Sequence, residues 1–327
     1  MNERFVKILG IGTGIPEACL TNRDLERMVE TSDEWITSRS GIAARRIAAH
    51  DEPASALAVT ASRKALEDAG IDASELDLII VATVTPDMLF PATACLVQNE
   101  IGARKAACFD LEAGCTGFVY ALSIAEKYLT GGGGRKALVI GVETLSKIVD
   151  WQDRSTCVLF GDGAGAAVLG LASEPGIYAT YLGADGSGGR LLELPAGGSR
   201  FPASSETLSE RLHFIHMNGN EVFKFAVRIM EEASREVLRR AGMSIEVVDL
   251  FIPHQANIRI IHAAAKRLAV SPDRIFVNVH KYGNTSSASI PIALSEAREE
   301  GRIQDGSLVL LVGFGAGLTW GSALIRW

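Results

Sequence analysis

Cysteine is scarce in this 327-residue chain: five residues, at 19, 95, 108, 115 and 157, an odd number without CxxC spacing. That excludes a disulfide framework and a zinc site as organising features, and four of the five, set among apolar or small residues, read as free core thiols. Runs of charge of one sign are also missing. The net charge is −7, from 32 Lys and Arg against 39 Asp and Glu, which argues against general affinity for nucleic acid or an anionic membrane but allows a local basic patch. No uninterrupted apolar run is long enough to span a bilayer. The first residues, MNERFVKILGIG, carry both charge signs where a signal peptide has its apolar core, so a cytoplasmic protein is expected.

What the chain does have is apolar mass and glycine. It is 47% hydrophobic with 33 glycines, enough for a large core, two domains and many tight turns. Two distant segments match without gaps at an offset of 172: SRKALEDAGIDASELDLII (62–80) and SREVLRRAGMSIEVVDLFI (234–252), identical at eight of nineteen positions. Chance at this composition gives about one or two. Each reads as a helix, an Ala-Gly stop, a short loop and a buried strand. The same offset pairs ALVIG (137–141) with VLLVG (309–313), and lays GCTGFVYAL (114–122) over SSASIPIAL (286–294). A fixed offset over three segments argues for two related α/β halves, 1–174 and 175–327, each with a mixed, largely buried sheet. The function is expected where the halves meet.

In FDLEAGCTGFVYAL, a short buried strand (106–111) leads to Cys115 between Gly114 and Gly117. Phe118, Leu122, Ala125 and Leu129 then mark one helical stripe. A cysteine at a helix N-terminus faces unpaired N–H groups and partial positive charge, which favour the nucleophilic thiolate; a buried structural thiol is the alternative. His254 follows the buried strand LFIP, at the position matching Ala82 in the first half, a favoured place for a catalytic group although a lone histidine is more often structural. Asn284 follows Gly283 on a turn, three residues before the match of Cys115; Asn284, Thr285 or Ser286 could equally cap a helix there. Near the end, the glycines of VGFGAGLTWGSAL allow a tight backbone loop able to bind an oxyanion.

Other motifs point elsewhere only superficially. GIGTGIP (10–16) lacks the last glycine of a dinucleotide fingerprint and runs into proline, so NAD is rejected. TGGGGRKAL lacks the Ser/Thr of a P-loop, and GDGAGAAVLG offers one carboxylate and no metal-ligand spacing.

The order Cys, His, Asn, glycine-rich turn resembles the β-ketoacyl-acyl-carrier-protein synthase III family over essentially the whole chain. TSDEWI, RSGIAARRIA, GCTGFVYALS, DRSTCVLFGDGAGAAV, MNGNEVFKFA, PHQANIRI, YGNTSSASIP and GFGAGLTWGSAL follow its pattern in order. The resemblance implies the thiolase fold, an α/β architecture of two pseudo-repeated halves layered α-β-α-β-α, usually a homodimer. It implies an acyltransferase joining a short acyl-CoA to malonyl-acyl-carrier protein to start fatty-acid synthesis, or alternatively a specialised condensing enzyme of secondary metabolism, with primer length open. Cys115 then resembles the acyl-accepting nucleophile, His254 and Asn284 its partners in decarboxylative condensation, and the N–H groups of Cys115 and Ala316 the oxyanion hole. Phe314-Gly315-Ala316-Gly317 departs from the family's Phe-Gly-Gly-Gly, so Ala316 would be strained if its φ were positive.

The resemblance also places adenine between Trp35 and Arg154, phosphate near Arg39, and the pantetheine arm along Thr31, Phe223 and Asn257. Phe90 would reach into a partner's acyl pocket. Thr31 and Glu34 have capping-box spacing ahead of Trp35 and Arg39, whose helix could otherwise be a solvated amphipathic face. Lys224 and Arg259 head a basic patch suited to an acidic carrier protein. No cofactor or metal is expected, acyl-CoA being a substrate. Within the fold, a thiolase would need a second cysteine near the C-terminal glycine turn, and none follows Cys157. A silent scaffold would not need all three catalytic positions.

Overall fold

The computed structural model describes residues 4–327, built on one strand–turn–helix unit used twice. Strands β1 (Phe5–Gly14), β2 (Leu78–Ala82), β3 (Ala107–Leu111), β4 (Lys136–Thr144) and β5 (Asp162–Ala172) form a five-stranded sheet, order β1-β5-β4-β2-β3. Strands β6 (Ile177–Ala184), β7 (Leu250–Pro253), β8 (Leu308–Gly315) and β9 (Thr319–Arg326) form a four-stranded sheet, order β7-β8-β9-β6. In each, a single strand, β5 or β9, runs against the others. The main helices are α1 (Asp33–Ser40), α2 (Ala54–Ala69), α3 (Thr93–Ile101), α4 (Gly117–Thr130), α5 (Gly219–Ala241), α6 (Ile258–Leu268) and α7 (Ser289–Glu299).

Strand alternation sorts the side chains into layers. Leu78, Ile80 and Ala82 of β2 and Val309 and Leu311 of β8 face a shared central layer with Phe118 and Leu122 of α4 and Ile290 and Leu294 of α7. Ile79 and Val81 face the other way, onto Leu57 and Ala61 of α2. Leu308, Leu310 and Val312 face Phe225 and Val237 of α5 and Ile260 of α6. The result is helix, sheet, helix, sheet, helix. Because α4 lies between two sheets, Val119 and Ala121 are buried as well as the stripe through Phe118 and Leu122, as a helix apolar on several faces requires.

The repeat is visible in the elements. Helix α2 stops at Ala69 with left-handed Gly70, and α5 stops at Ala241 with left-handed Gly242. Short turns follow at Ala73–Glu75 and Ile245–Val247, then strands starting at Leu78 and Leu250. Single helical turns, Gly114–Thr116 and Ser286–Ala288, introduce α4 and α7.

Two expectations are corrected. Strand β3 is not buried: it is the outermost strand, its residues half-exposed or exposed, with Phe109 at 39%. An apolar sequence reveals strand character but not which edge lacks a neighbour. At the matching place in the second half the chain turns helical (Val279–Tyr282), and only an isolated bridge between Phe251 and Ile275 extends that sheet. Nor are the four other cysteines all core thiols. Cys19 is exposed on a surface ribbon, and Cys95 and Cys108 are half-buried free thiols with sulfurs 3.3 Å apart; Cys157 alone matches the expectation. Among the described residues no helix is long and apolar enough to cross a membrane.

The central layer holds both sheets, so a cavity in it should weaken the whole fold. Leu122 is fully buried there, and Leu122→Ala is expected to lower the unfolding free energy by about 2–5 kcal/mol in a single cooperative transition. Denaturant unfolding followed by fluorescence and circular dichroism checks this.

Candidate active site

Cys115, His254 and Asn284 come from three segments that converge at the C-terminal end of β8. Cys115 lies in the turn before α4, 7% exposed. A Cβ at Gly315 would overlap its backbone nitrogen, and one at Gly114 would stand 2.7 Å from Ala316 N. The two backbones can meet only through these glycines. Gly114 has φ +53, which suits glycine, whereas Ala316 is not among the residues with positive φ. Alanine is therefore accommodated there without strain. Neither the Cys115 nor the Ala316 N–H has a hydrogen-bond partner among the described residues.

His254 leaves β7 with its N–H on Val312 O at 2.8 Å. Its buried ring packs edge-on against Phe314, centroids 5.4 Å apart. Nδ1 lies 2.6 Å from Ser289 Oγ, while Nε2 is buried and without a partner. Gln255 N–H donates to the same Ser289 oxygen at 3.4 Å. When the Ser289 hydroxyl donates to Nδ1, the ring proton sits on Nε2 as an unused donor. Asn284 is pinned by backbone bonds to Leu159 O and Gly161 N, and its Oδ1 accepts from Ser286 N–H at 2.9 Å. With the oxygen committed, the amide's Nδ2 is its free end.

The site is buried, and burial works against the helix terminus. Burial pushes the Cys115 thiol up to about 12; the neighbouring Ser286 hydroxyl opposes this and the nearby Glu143 charge reinforces it. Burial thus favours the thiol, against the thiolate expected from the helix terminus. Burial likewise pushes His254 down to about 3, so its imidazole is neutral at neutral pH.

A second group of expected residues lies along α1, α5 and α6. Trp35 is half-buried, with the Arg39 and Arg154 guanidinium carbons 5.0 and 5.3 Å from its ring centroid. Arg154 also donates to Glu30 O at 2.8 Å. The helix is capped by Ser32, whose Oγ accepts from Trp35 N–H, and not by Thr31; the Thr31 hydroxyl is buried without a partner. Asn257 joins the halves, donating to Arg39 O at 3.0 Å while accepting from Arg259 N–H at 2.8 Å. Arg259 covers the Phe223 ring at 5.6 Å and, with Lys224, lines a cleft of about 350 Å³. Lys224 is not free: it pairs with Glu221 at 2.7 Å.

Phe90 is not brought into this group; it is 84% exposed beside Leu89 at 80%. A larger hollow of about 710 Å³, near Lys147 and Trp151, includes none of the expected site residues. Among the described residues no His, Cys, Asp and Glu cluster could hold a metal. Sequence reasoning missed a role for Ser289, Ser286 and Glu143, though Glu143 is the one acidic residue of strand β4 and follows its apolar run.

Comparison with known proteins agrees over the full chain. Residues 109–186 match the family described as 3-oxoacyl-[acyl-carrier-protein (ACP)] synthase III, and residues 238–327 match its C-terminal part. The chain is 59% identical to a β-ketoacyl-[acyl-carrier-protein] synthase III of Caldanaerobacter subterraneus, covering 98% of this chain and 97% of that one. It is 57% identical to the protein so named in Symbiobacterium thermophilum, covering 100% and 99%. The crystal structure of 3-oxoacyl-[acyl-carrier-protein] synthase III from Aquifex aeolicus superimposes with TM-score 0.91 at 50% identity, over 98% of this chain and 100% of that one. The layered architecture is the thiolase fold of these proteins.

The two buried ionisable groups make opposite contributions to stability. His254, ordinarily near 6.5 and here about 3, refuses a proton that the unfolded chain accepts, so stability is lost as pH falls below about 6.5. Glu143, ordinarily near 4.5 and here about 7, contributes stability on the acid side that is lost as pH rises through about 7. Removing the imidazole in His254→Gln should flatten the acid-side loss by about 2–3 kcal/mol between pH 6.5 and 4.5. Urea unfolding at three pH values measures the slope; parallel slopes in the two proteins would refute a buried neutral histidine.

Proposed function

The chain belongs to the 3-oxoacyl-[acyl-carrier-protein] synthase III family, and from that premise we propose that it condenses a short acyl-CoA with malonyl-acyl-carrier protein, in the cytoplasm and as a homodimer. The product is a 3-oxoacyl-carrier protein, the first committed chain of fatty-acid synthesis. The relatives share the primary-metabolism name, and the alternative of a specialised condensing enzyme is not favoured.

The observation that carries the reading is a buried thiol on a turn packed against the Ala316 backbone, both with unbonded N–H groups, near a histidine and an asparagine that each keep a donor in reserve. The Cys115 sulfur attacks the acyl-CoA carbonyl carbon, and the Cys115 and Ala316 N–H groups hold the tetrahedral oxyanion. The C–S bond to CoA breaks, and CoA leaves as the free thiol carrying the proton from Cys115. Malonyl-carrier protein then loses CO2. His254 Nε2–H and Asn284 Nδ2–H donate to its thioester oxygen as the enolate forms. The enolate carbon attacks acyl-Cys115 and expels the thiolate, which regains a proton. Donors, not a charged base, are what these steps ask of His254, and its depressed pKa suits that role. No cofactor enters.

Trp35, Arg39 and Arg154 are suited to an adenine and its phosphates, since a planar ring and two guanidiniums already stack there. Entry of the base between Trp35 and Arg154 would replace a cation–π contact. Thr31, Asn257 and Phe223 would then follow the pantetheine arm, the Thr31 hydroxyl gaining the partner it lacks. The exposed edge β3 and the apolar tip Leu89–Phe90 support pairing with a second copy, which would cover both.

Incubation with acetyl-CoA should add one acyl group at Cys115, located by peptide mass analysis; an adduct that persists in Cys115→Ala would overturn the assignment. His254→Ala and Asn284→Ala should lose condensation by about 10²–10³-fold while losing acylation far less. Parallel loss of both would reject the division of roles.

Lys224 and Arg259 would orient the acidic carrier protein mainly through its on-rate, an effect screened by salt. The Lys224–Glu221 pair moderates it. Reversing both charges should raise KM for malonyl-carrier protein at low salt and spare acylation by acyl-CoA. Steady-state kinetics at two ionic strengths provides the measurement, and an unchanged KM at low salt would discard the patch.

A further inference from the structure

Beside the nucleophile lies a carboxylate that the condensation chemistry does not use. Glu143, near the C-terminal end of β4, has no exposed surface. Donors from both halves surround it. On one oxygen they are Val84 N–H at 3.1 Å and the Thr83 and Thr85 hydroxyls at 3.3 and 2.7 Å. On the other lie the Ser286 and Ser287 hydroxyls at 3.1 and 2.9 Å, the single Ser287 hydrogen being shared with Ala82 O at 2.9 Å. Among the described residues no cation pairs with it. A buried, unpaired carboxylate costs several kcal/mol to desolvate, so its retention inside the cleft calls for a role.

The hydroxyl donors lead back to the chemistry. Ser286 N–H holds Asn284 Oδ1 at 2.9 Å, the bond that turns the amide's Nδ2 outward. The Ser286 hydroxyl also lies beside the Cys115 thiol, and its one hydrogen serves either that sulfur or the Glu143 carboxylate. Ser286 adopts φ +48, a left-handed backbone that costs a residue with a Cβ about 1 kcal/mol and needs something to hold it.

The offset of 172 residues sharpens this. It places Ser286 over Gly114, Ser287 over Cys115, and Gly315 over Glu143. Gly114 and Ser286 share the left-handed conformation, φ +53 and +48. In the nucleophile's turn the neighbouring strand presents Gly315, and backbone touches backbone. In the counterpart turn the strand presents a carboxylate that grips two hydroxyls.

We propose that Glu143 is a positioning residue for the condensation step, fixing the Asn284 amide through Ser286. The inference rests on the role given above to Asn284. Burial raises the Glu143 pKa to about 7, against the pull of the Thr85, Ser287, Val84 and Ser286 donors; the positioning needs only its hydrogen bonds.

The test is a double-mutant cycle on the full chain with Glu143→Gln, Ser286→Ala and both together. Three rates are read for each: acylation of Cys115 by acetyl-CoA, CO2 release from malonyl-carrier protein, and condensation. Each single variant should lower kcat for CO2 release and condensation by about 10- to 100-fold, as a misplaced donor does. KM should stay within about threefold and acylation should fall much less. The double variant should be no slower than the worse single, since both changes cut one chain of contacts. Multiplying effects, or equal losses in all three rates, would overturn the proposal.

If Glu143→Gln does not fold, Ser286→Ala alone decides: unchanged CO2 release overturns the proposal, and selective loss upholds it. Failure of the functional reading looks different. In that case wild type itself would neither acylate Cys115 nor release CO2, and this inference would fall with it.

Discussion

Two polypeptide turns meet backbone to backbone at the centre of this protein, and the cleft is arranged around that meeting. The turn bearing Cys115 can approach β8 only because Gly315 has no side chain and Gly114 can adopt φ +53. Strand β8 in turn carries Phe314 against the His254 ring and Val312 O on the His254 N–H, and leads directly into Ala316. The Cys115 thiol, the two unpaired N–H groups and the His254 ring therefore all take their positions from contacts with β8 and the turn that follows it. Their spacing is held by the close-packed layer of α4 and α7 between the sheets. A side chain at Gly315 would push β8 away and disturb all of them together.

Burial is the second determinant. Local structure at Cys115, a helix start with unpaired N–H groups, favours a thiolate, whereas burial favours the thiol. The same burial keeps His254 neutral. A resting site without charge on either group does not bind its own ions internally. Its donors stay available for charge that appears only as bonds change, which is the arrangement that preorganised electrostatic stabilisation requires.

Much of this was legible in the sequence because the signals are local. Ala-Gly stops, buried strands after Asp-Leu, and glycines around Cys115 each act within a few residues, and the fixed offset tied the two sets together. The failures share another cause. The exposure of β3 depends on which strand lies at the sheet edge, and the surface position of Cys19 depends on a ribbon pairing with Arg46. Ser32 rather than Thr31 caps α1, a shift of one residue that spacing alone does not resolve. Glu143, Ser286 and Ser289 act through contacts spanning 143 and 35 residues. Nothing near Glu143 in the chain announces Ser286, because only the folded meeting of the halves brings them together.

The closing turn carries one more lesson, and it concerns the chain before it folds. Ala316 is not among the residues with positive φ, so its methyl group meets no left-handed backbone strain in the folded protein. In the unfolded ensemble the same methyl removes conformations that a glycine would explore. An alanine in such a place typically favours folding by about 0.4–1 kcal/mol without a new contact. It also narrows the excursions of the loop that presents the Ala316 N–H. The loop's rigidity is thus partly set by what the denatured chain can no longer do.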